Sequence, residues 1–130
     1  MADVNRSNRP LSPHLTIYRP QLTSMSSIMV RITGIAAMGS AFLVVAWMLA
    51  AATSVEAYNY VNWILTSLIG DAMMLASAWA IFYHVLGRLR HVIWDFGYCL
   101  EVSVSEKLAL GMFGLSTVLT ILLALFVIFV

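Results

Sequence analysis

The 130-residue chain is strongly apolar, since 62% of its residues are hydrophobic, 10% are charged and its mean hydropathy is +0.91. A soluble domain carries about 25% charged residues, so this composition indicates a membrane protein. The net charge is +1, and the seven basic residues are dispersed and form no phosphate-binding patch, so the sequence suggests no nucleic-acid role. With Cys99 as its single cysteine, the chain has no internal disulfide, no iron–sulfur cluster of its own and no Cys-x-x-Cys-His attachment for a covalent haem.

The chain opens with a polar, proline-containing segment over residues 1–22. Proline lacks a backbone donor and biases the preceding residue away from helix. Pro10, Pro13 and Pro20 therefore predict an extended N-terminal arm on the cytoplasmic side. We expect this arm to dock on partner proteins, and residues 23–130 to form one three-helix transmembrane domain.

Three apolar stretches follow the arm. Residues 32–55 and 108–130 carry no charge, and residues 57–87 carry only Asp71. Each stretch reaches the length of about 20 residues that a membrane span needs. The sequence therefore predicts an all-α membrane protein with three transmembrane helices. The expected helices run from about Thr23–Ser27, with a hydroxyl N-cap, to Ala52, from Val61 to Trp94, and from Leu108 to Val130.

The basic residues are distributed unevenly between the two ends of these helices. All seven lysines and arginines fall within residues 1–31 or 88–107, and the loop around residues 53–60 has none. By the positive-inside rule, the N-terminus is predicted to be cytoplasmic, or on the matrix side of an organelle, and the loop to face outward. Tyr58, Tyr60 and Trp63 then form an outer aromatic belt.

Small residues line part of the first predicted helix. Small side chains let helix backbones approach closely in lipid. We expect them to pack against the chain's own helices, with a partner helix as the alternative. They are Gly34, Ala37, Gly39, Ser40 and Ala41.

A polar stripe marks the cytoplasmic end of the second predicted helix. His84, Arg88, His91 and Asp95 are spaced four, three and four residues apart, so they share one helix face. An ionisable side chain inside a membrane is costly and is read as functional, and imidazole is a common ligand of haem iron. His84 is therefore a candidate haem ligand, and a neutral histidine hydrogen-bonded between helices stays open as the alternative. Arg90, in contrast, is expected to snorkel into the headgroup layer.

The second ligand of a six-coordinate haem must come from another chain. His91 lies seven residues, or about 10 Å, further along the same face than His84, whereas trans nitrogens on one metal are about 4 Å apart. Arg31, Arg88 and His91 are then candidates for pairing with the haem propionates, because cationic donors bind carboxylates strongly.

Ser27 and Arg31 form a second polar pair on the first predicted helix. They are four residues apart and lie at the depth of the His84 stripe. A hydroxyl and a guanidinium at the edge of an apolar cavity suit a ligand with a carbonyl head and an apolar tail, such as a quinone. The alternative is that Ser27 caps the helix and Arg31 anchors the topology. A different class, a small non-haem transporter or assembly protein, would use Asp71 and the His84 stripe as a proton path.

Three ordered motifs together resemble the cytochrome b membrane-anchor subunit of succinate dehydrogenase, respiratory complex II. Two positions depart from the family pattern, because Val30 stands where the family usually has histidine and Arg88 stands where it has a small residue, with the glycine displaced to Gly87. The motifs are Arg-Pro-Leu-Ser-Pro-His-Leu over residues 9–15, Ser-Ile-Met-Val-Arg-Ile-Thr-Gly over residues 27–34, and His-Val-Leu-Gly-Arg-Leu-Arg-His-Val-Ile-Trp-Asp over residues 84–95.

The resemblance implies a respiratory subunit that itself lacks the catalytic centre for succinate oxidation. It implies one haem b shared with a second small anchor subunit, and attachment of an iron–sulfur subunit and a flavoprotein subunit. Electrons from succinate would pass to ubiquinone in a bacterial inner membrane, with the mitochondrial inner membrane and a menaquinone-dependent fumarate reductase as alternatives. By position, His84 is the haem ligand, Ser27 and Arg31 belong to the quinone site, and Arg31 and His91 lie near the propionates.

Overall fold

The computed structural model describes Pro10 and residues 12–130, and this part of the chain contains helices and no strand. Three of the helices, α1, α3 and α4, are long and apolar enough to cross a membrane. This confirms the expected all-α membrane fold with three spans. The helices are α1 (Leu22–Thr53), α2 (Val55–Leu65), α3 (Leu68–Asp95) and α4 (Val102–Phe129).

The described part of the arm precedes α1, and its residues are exposed. It contains one turn, in which the backbone N–H groups of Ile17 and Tyr18 both donate to the carbonyl of His14 at 3.1 and 3.0 Å. Leu15 is 95% exposed on this turn. The part of the arm prediction that concerns residues 1–9 and 11 lies outside the described residues.

The first span begins and ends within a residue of its expected bounds, but its capping differs from the prediction. The N-cap residue is Gln21, and no side chain caps the helix. Ser24 and Ser26 instead donate their hydroxyls to the carbonyls of Gln21 and Thr23, at 2.9 and 2.8 Å. Short hydroxyl side chains readily make such local bonds to the preceding turn. Ser27 is the sixth residue of α1, so it does not cap the helix.

The prediction of one continuous second helix is wrong over its outer half, where the chain forms two helices. α2 occupies most of the expected loop, and Ser54 caps it by accepting from the N–H of Ala57 at 3.1 Å. The chain then bends at residues 66–67, and Ser67 caps α3 by accepting from the N–H of Gly70 at 3.2 Å. A Cβ atom at Gly70 would collide with the backbone carbonyl of Leu65, so glycine permits this bend.

The connection from α3 to α4 is shorter than expected. α3 ends in a Schellman motif, in which Gly97 has a φ of 80° and the N–H groups of Gly97 and Tyr98 donate to the carbonyls of Trp94 and Ile93. α4 then begins at Val102, six residues before the apolar stretch that predicted it. Hydropathy marks the part of a helix that lies in lipid, whereas the helix itself extends beyond it.

α3 packs between α1 and α4 and carries the small buried core. The core cluster is Val30, Tyr83 and Met112, one residue from each span. Trp79 stacks on Tyr83 at 5.2 Å between ring centroids and donates its indole N–H to Thr117 of α4 at 3.1 Å. Most large apolar side chains of the spans point outward, as expected for a bundle that faces lipid or partner helices.

Candidate functional site

One interface, between the first turns of α1 and the last turns of α3, brings most of the candidate residues together. We call this half of the bundle the His84 end and the opposite half the α2 end. The two helices run antiparallel here. Ser26 bonds to Arg90, the side chain of Val30 lies over Gly87, and the imidazole of His84 lies against Gly34. The contacts therefore follow one continuous register over about two turns of each helix.

His84 is held in a defined orientation across this interface. Its Nδ1 lies 2.9 Å from the backbone carbonyl of Val30. A carbonyl only accepts, so Nδ1 carries the proton and Nε2 keeps its lone pair. A Cβ atom at Gly34 would lie 2.7 Å from Cε1 of the imidazole, so a larger residue there would displace the ring.

The lone pair of Nε2 is presented at the edge of the bundle. His84 is half-buried, and the exposed Arg88 donates its Nε–H to Nε2 at 3.3 Å. This contact agrees with the tautomer that the Val30 carbonyl imposes, because Nε2 must then accept. The imidazole therefore offers a metal ligand whose other nitrogen is fixed by a backbone carbonyl, an arrangement typical of metal-binding histidines.

Ser27 and Arg31 lie on the side of α1 that contacts His84. Gly34, which touches the imidazole, follows Arg31 by three residues and Ser27 by seven, and such spacings share a helix face. Ser27 is half-buried and Arg31 is exposed. A hydroxyl and a guanidinium thus border the same interface as the histidine.

The rest of the stripe on α3 runs toward the end of that helix. His91 is half-buried and packs edge-on against Trp94, with 5.1 Å between the centroids and 88° between the planes. Asp95 is the last residue of α3 and is exposed. Arg88 bonds to His84 as described above, so the stripe is joined to the histidine at one point.

Arg90 is the residue that sequence reasoning misplaced. It was expected in the headgroup layer, but it is only 1% exposed and lies inside the bundle. Its Nη1 donates to the Ser26 hydroxyl at 2.8 Å, and its guanidinium carbon lies 4.5 Å from the centre of the Trp94 ring. The sequence holds part of the evidence for this burial, because Arg90 follows Tyr83 and Gly87 at helical spacing and so shares their buried face.

Asp71 and the small residues near the α2 end stand apart from this interface. Asp71 is exposed in the first turn of α3, thirteen residues or about 20 Å of helix from His84, so the two groups share no site. A Cβ atom at Gly39 would meet no other atom within 4 Å, unlike one at Gly34. Of these two α1 glycines, therefore, only Gly34 packs as the sequence predicted.

Comparison with known families gives this geometry a context. Residues 5–123 match the model of the family described as the succinate dehydrogenase/fumarate reductase transmembrane subunit. The chain belongs to this family. It is a multi-pass membrane subunit, in agreement with its three apolar helices.

Individual members of the family are similar over most of the chain. The chain is 45% identical over 122 residues to the succinate dehydrogenase cytochrome b556 subunit of Paracoccus denitrificans, with 94% of each chain covered. It is 37% identical over 106 residues to the cytochrome b560 subunit of Marchantia polymorpha, with 74% of each chain covered. It is 34% identical over 117 residues to the cytochrome b556 subunit of Rickettsia conorii, covering 90% of this chain and 91% of the relative.

Val30, one of the two departures from the motifs that the chain resembles, contacts the displaced glycine, Gly87. In that resemblance Val30 stands in place of a histidine, and the glycine of the third motif is displaced to Gly87. A Cβ atom at Gly87 would collide with Cγ2 of Val30. The branched side chain of Val30 therefore fits only because residue 87 has none, and the two departures form a single packing feature. The displacement also leaves Arg88 on the exposed side, beside His84.

Proposed function

We propose that this chain is the anchor subunit of a succinate dehydrogenase that helps to bind haem b and ubiquinone and passes electrons from succinate oxidation to the quinone pool. The observation that carries the proposal is the tautomer and orientation of the His84 imidazole. Its Nδ1–H is bonded to a backbone carbonyl inside a membrane bundle, and its Nε2 lone pair lies at the bundle edge. The subunit itself has no part in the chemistry of succinate.

The residues present fit a haem iron. Through Nε2, His84 would ligate the haem iron, and the Val30 carbonyl would keep the ring in the ligating tautomer and orientation. Because His91 lies too far along the helix to bind the same iron, a second protein ligand would come from the second small anchor subunit. The haem b would supply a one-electron carrier at the interface of the two subunits, and the relatives are named as cytochromes b.

Cationic side chains around His84 suit the two propionates of a haem. Arg31 and Arg88 are exposed on the helices that carry the site, and His91 lies two turns beyond His84. Arg88 holds only one long hydrogen bond, at 3.3 Å, so its guanidinium is free to turn from Nε2 to a carboxylate. We assign these three residues to the propionates.

Ser27 and Arg31 are assigned to the quinone head group. A half-buried hydroxyl and an exposed guanidinium on the His84 side of α1 supply two donors beside an apolar surface. One of the two carbonyl oxygens of a quinone would accept a hydrogen bond from one of these donors. The apolar tail would lie among the exposed aliphatic side chains of the spans.

The remaining partners follow from the arm and from the charge distribution. Leu15 at 95% and Tyr18 at 53% exposure are large apolar side chains that the described residues leave exposed, which supports docking of residues 1–22 on the iron–sulfur and flavoprotein subunits. The arm would then be cytoplasmic, and the chain would lie in a bacterial inner membrane with residues 23–130 as its membrane domain. The family also includes fumarate reductases, but the relatives described above are named for succinate dehydrogenase.

Replacing the ligand tests the proposal directly. In the purified complex, a reduced-minus-oxidised spectrum of the parent should show a b-type haem, and His84→Leu should lose or alter the low-spin signal. His91→Leu is the matched control, since it removes an imidazole from the same face and should keep the haem six-coordinate. An unchanged six-coordinate spectrum in His84→Leu would refute the assignment of the ligand.

Deletion of the arm tests the docking role. Removing residues 1–20 should weaken retention of the succinate-oxidising subunits on the membrane, because α1 begins only at Leu22 and the three spans stay intact. The measurement is the fraction of succinate oxidation, with a soluble electron acceptor, that stays with the membranes after a salt wash. Equal retention in the parent and the shortened chain would contradict docking through the arm.

A further inference from the structure

Arg90 is a buried cation that the proposed haem and quinone chemistry does not use. It lies on the buried face of α3 with Tyr83, Gly87 and Trp94, whereas His84 lies at the edge of that face. Two of its donors, Nε and Nη2, are buried without a hydrogen-bond partner among the residues that the structure describes, and so is the indole N–H of Trp94. One donor, Nη1, is bonded to Ser26 at 2.8 Å.

This arrangement is a poor way to stabilise the bundle. Burial of a guanidinium carries a desolvation cost that one hydrogen bond and a stacking contact only partly offset. A well-packed apolar residue would be at least as stable. The best-attested use of a buried polar group of this kind is to fix the register of packed helices.

The position of the Ser26–Arg90 bond suits that use. It lies one turn of α1 before Val30, whose carbonyl orients His84, and it is next in sequence to Ser27. A shift of α1 along α3, or a rotation about its axis, would break this bond and would also move the Val30 carbonyl and the Ser27 hydroxyl. Apolar contacts between Val30 and Gly87 do not resist rotation in the same way, because they have no preferred direction.

We propose that Arg90 is a positioning residue that, through Ser26, fixes the register and rotation of α1 against α3 and thereby aims His84 and the Ser27–Arg31 pair. This inference rests on the proposed function, because it assumes that the pair contacts the quinone and that His84 binds the haem. Arg90 itself touches neither group.

The test uses the assembled complex in its membrane. Arg90→Gln should raise the KM for ubiquinone about fivefold, the equivalent of one hydrogen bond of about 1 kcal/mol, with a smaller change in kcat. It should also shift the electron paramagnetic resonance signal of the oxidised low-spin haem, because the ring of His84 turns relative to the iron. Haem content and succinate oxidation with a soluble acceptor should stay at the parent level.

Three further variants separate positioning from general damage. Ser26→Ala should change KM and the haem signal in the same direction, and the double variant should be no worse than Arg90→Gln, since both remove one shared bond. Arg90→Lys should be intermediate, because it keeps a donor but loses the planar fork. Ser24→Ala is the matched control, since its hydroxyl bonds to Gln21 and Tyr18 on the arm side.

Each outcome either supports or overturns the positioning role of Arg90. Parent values of KM and of the haem signal in Arg90→Gln would overturn the proposal, and so would full additivity of the two single changes. If Arg90→Gln does not assemble, Ser26→Ala against Ser24→Ala decides it. Failure of the proposed function is distinguishable, because the parent would then lack the low-spin haem signal altogether.

Discussion

Both ends of the α1–α3 interface contain serine and glycine residues of α1, but the two ends pack differently. At the His84 end, helix-to-helix hydrogen bonds link Arg90 to Ser26 and His84 to the Val30 carbonyl. At the α2 end, Ser40 bonds only to the carbonyl of Ala36 in its own helix, and the space around Gly39 is open. A groove remains there between the two helices. It is lined by Ala36, Gly39, Ser40, Leu43, Met73, Ala76 and Ser77.

The contrast between the two ends shows where a small residue matters in a membrane bundle. In lipid, apolar contact alone gives little drive between helices, so polar contacts and close approach define the geometry. The His84 end has both and supports a site that requires fixed directions. The α2 end has fewer polar contacts and a less close approach of the helices, so it should tolerate substitutions. Substitutions at matched positions of the two ends should therefore have unequal effects.

The sharpest contrast is between two glycines of α1, and it carries the largest expected effect. Gly34→Ala adds a Cβ atom 2.7 Å from Cε1 of His84, so the imidazole must leave its place beside the Val30 carbonyl. We expect loss of most of the haem b, measured by the reduced-minus-oxidised spectrum. Gly39→Ala meets open space and should keep the haem, with a gain in helix stability of about 1 kcal/mol. Equal haem content in both variants would contradict the contrast.

The donors proposed for the quinone give the next effect. Ser27→Ala and Arg31→Leu should each weaken quinone binding by about 1–3 kcal/mol, or roughly 5- to 150-fold, because a carbonyl loses its donor. Arg31→Leu should have the larger effect, since a propionate also loses its cation. The measurement is quinone reduction by succinate, with a soluble acceptor as the control for succinate oxidation.

A serine at the other end of α1 provides the matched control for that experiment. Ser40→Ala removes a hydroxyl that bonds only within its own helix, so the KM for quinone should stay at the parent value. Normal quinone kinetics in Ser27→Ala and Arg31→Leu would return Arg31 to a topology anchor and would leave the quinone site unassigned on this chain.

The last expected effect concerns packing alone and is measured as stability. Gly87→Ala should destabilise the complex by about 1–3 kcal/mol, because its Cβ atom collides with Cγ2 of Val30. Val30→Ala in the same chain should relieve most of this cost, since the colliding methyl group is then absent. Thermal unfolding of the purified complex measures both. A double variant as unstable as Gly87→Ala alone would show that the collision is not the cause.

The membrane fold followed from the sequence because its cause is local. A run of apolar residues enters lipid only as a helix with its backbone groups bonded internally, so α1, α3 and α4 could be anticipated from hydropathy. The bend at residues 66–67 could not. It depends on Ser54 and Ser67 as caps and on Gly70 lying against the Leu65 carbonyl, and these contacts leave the apolar pattern unchanged.

The candidate residues were also anticipated in part. Helical spacing alone grouped His84 with Arg88, and the structure joins them by a hydrogen bond. Spacing within one helix does not say which neighbour a face meets, however. That is why Arg90 was assigned to the headgroups although it lies in the interior against Ser26.

Composition and helical periodicity act over short distances along the chain, so they established the three membrane spans, the ionisable residues within them and the residues that share a helix face. Tertiary contacts were needed to establish which nitrogen of His84 keeps its lone pair, what occupies the space beside Gly34 and Gly87, and where Arg90 lies. Each of these depends on atoms of α1 meeting atoms of α3 that are at least 50 residues distant in sequence. Such contacts are fixed by packing and hydrogen-bond direction, which no pattern within one helix contains.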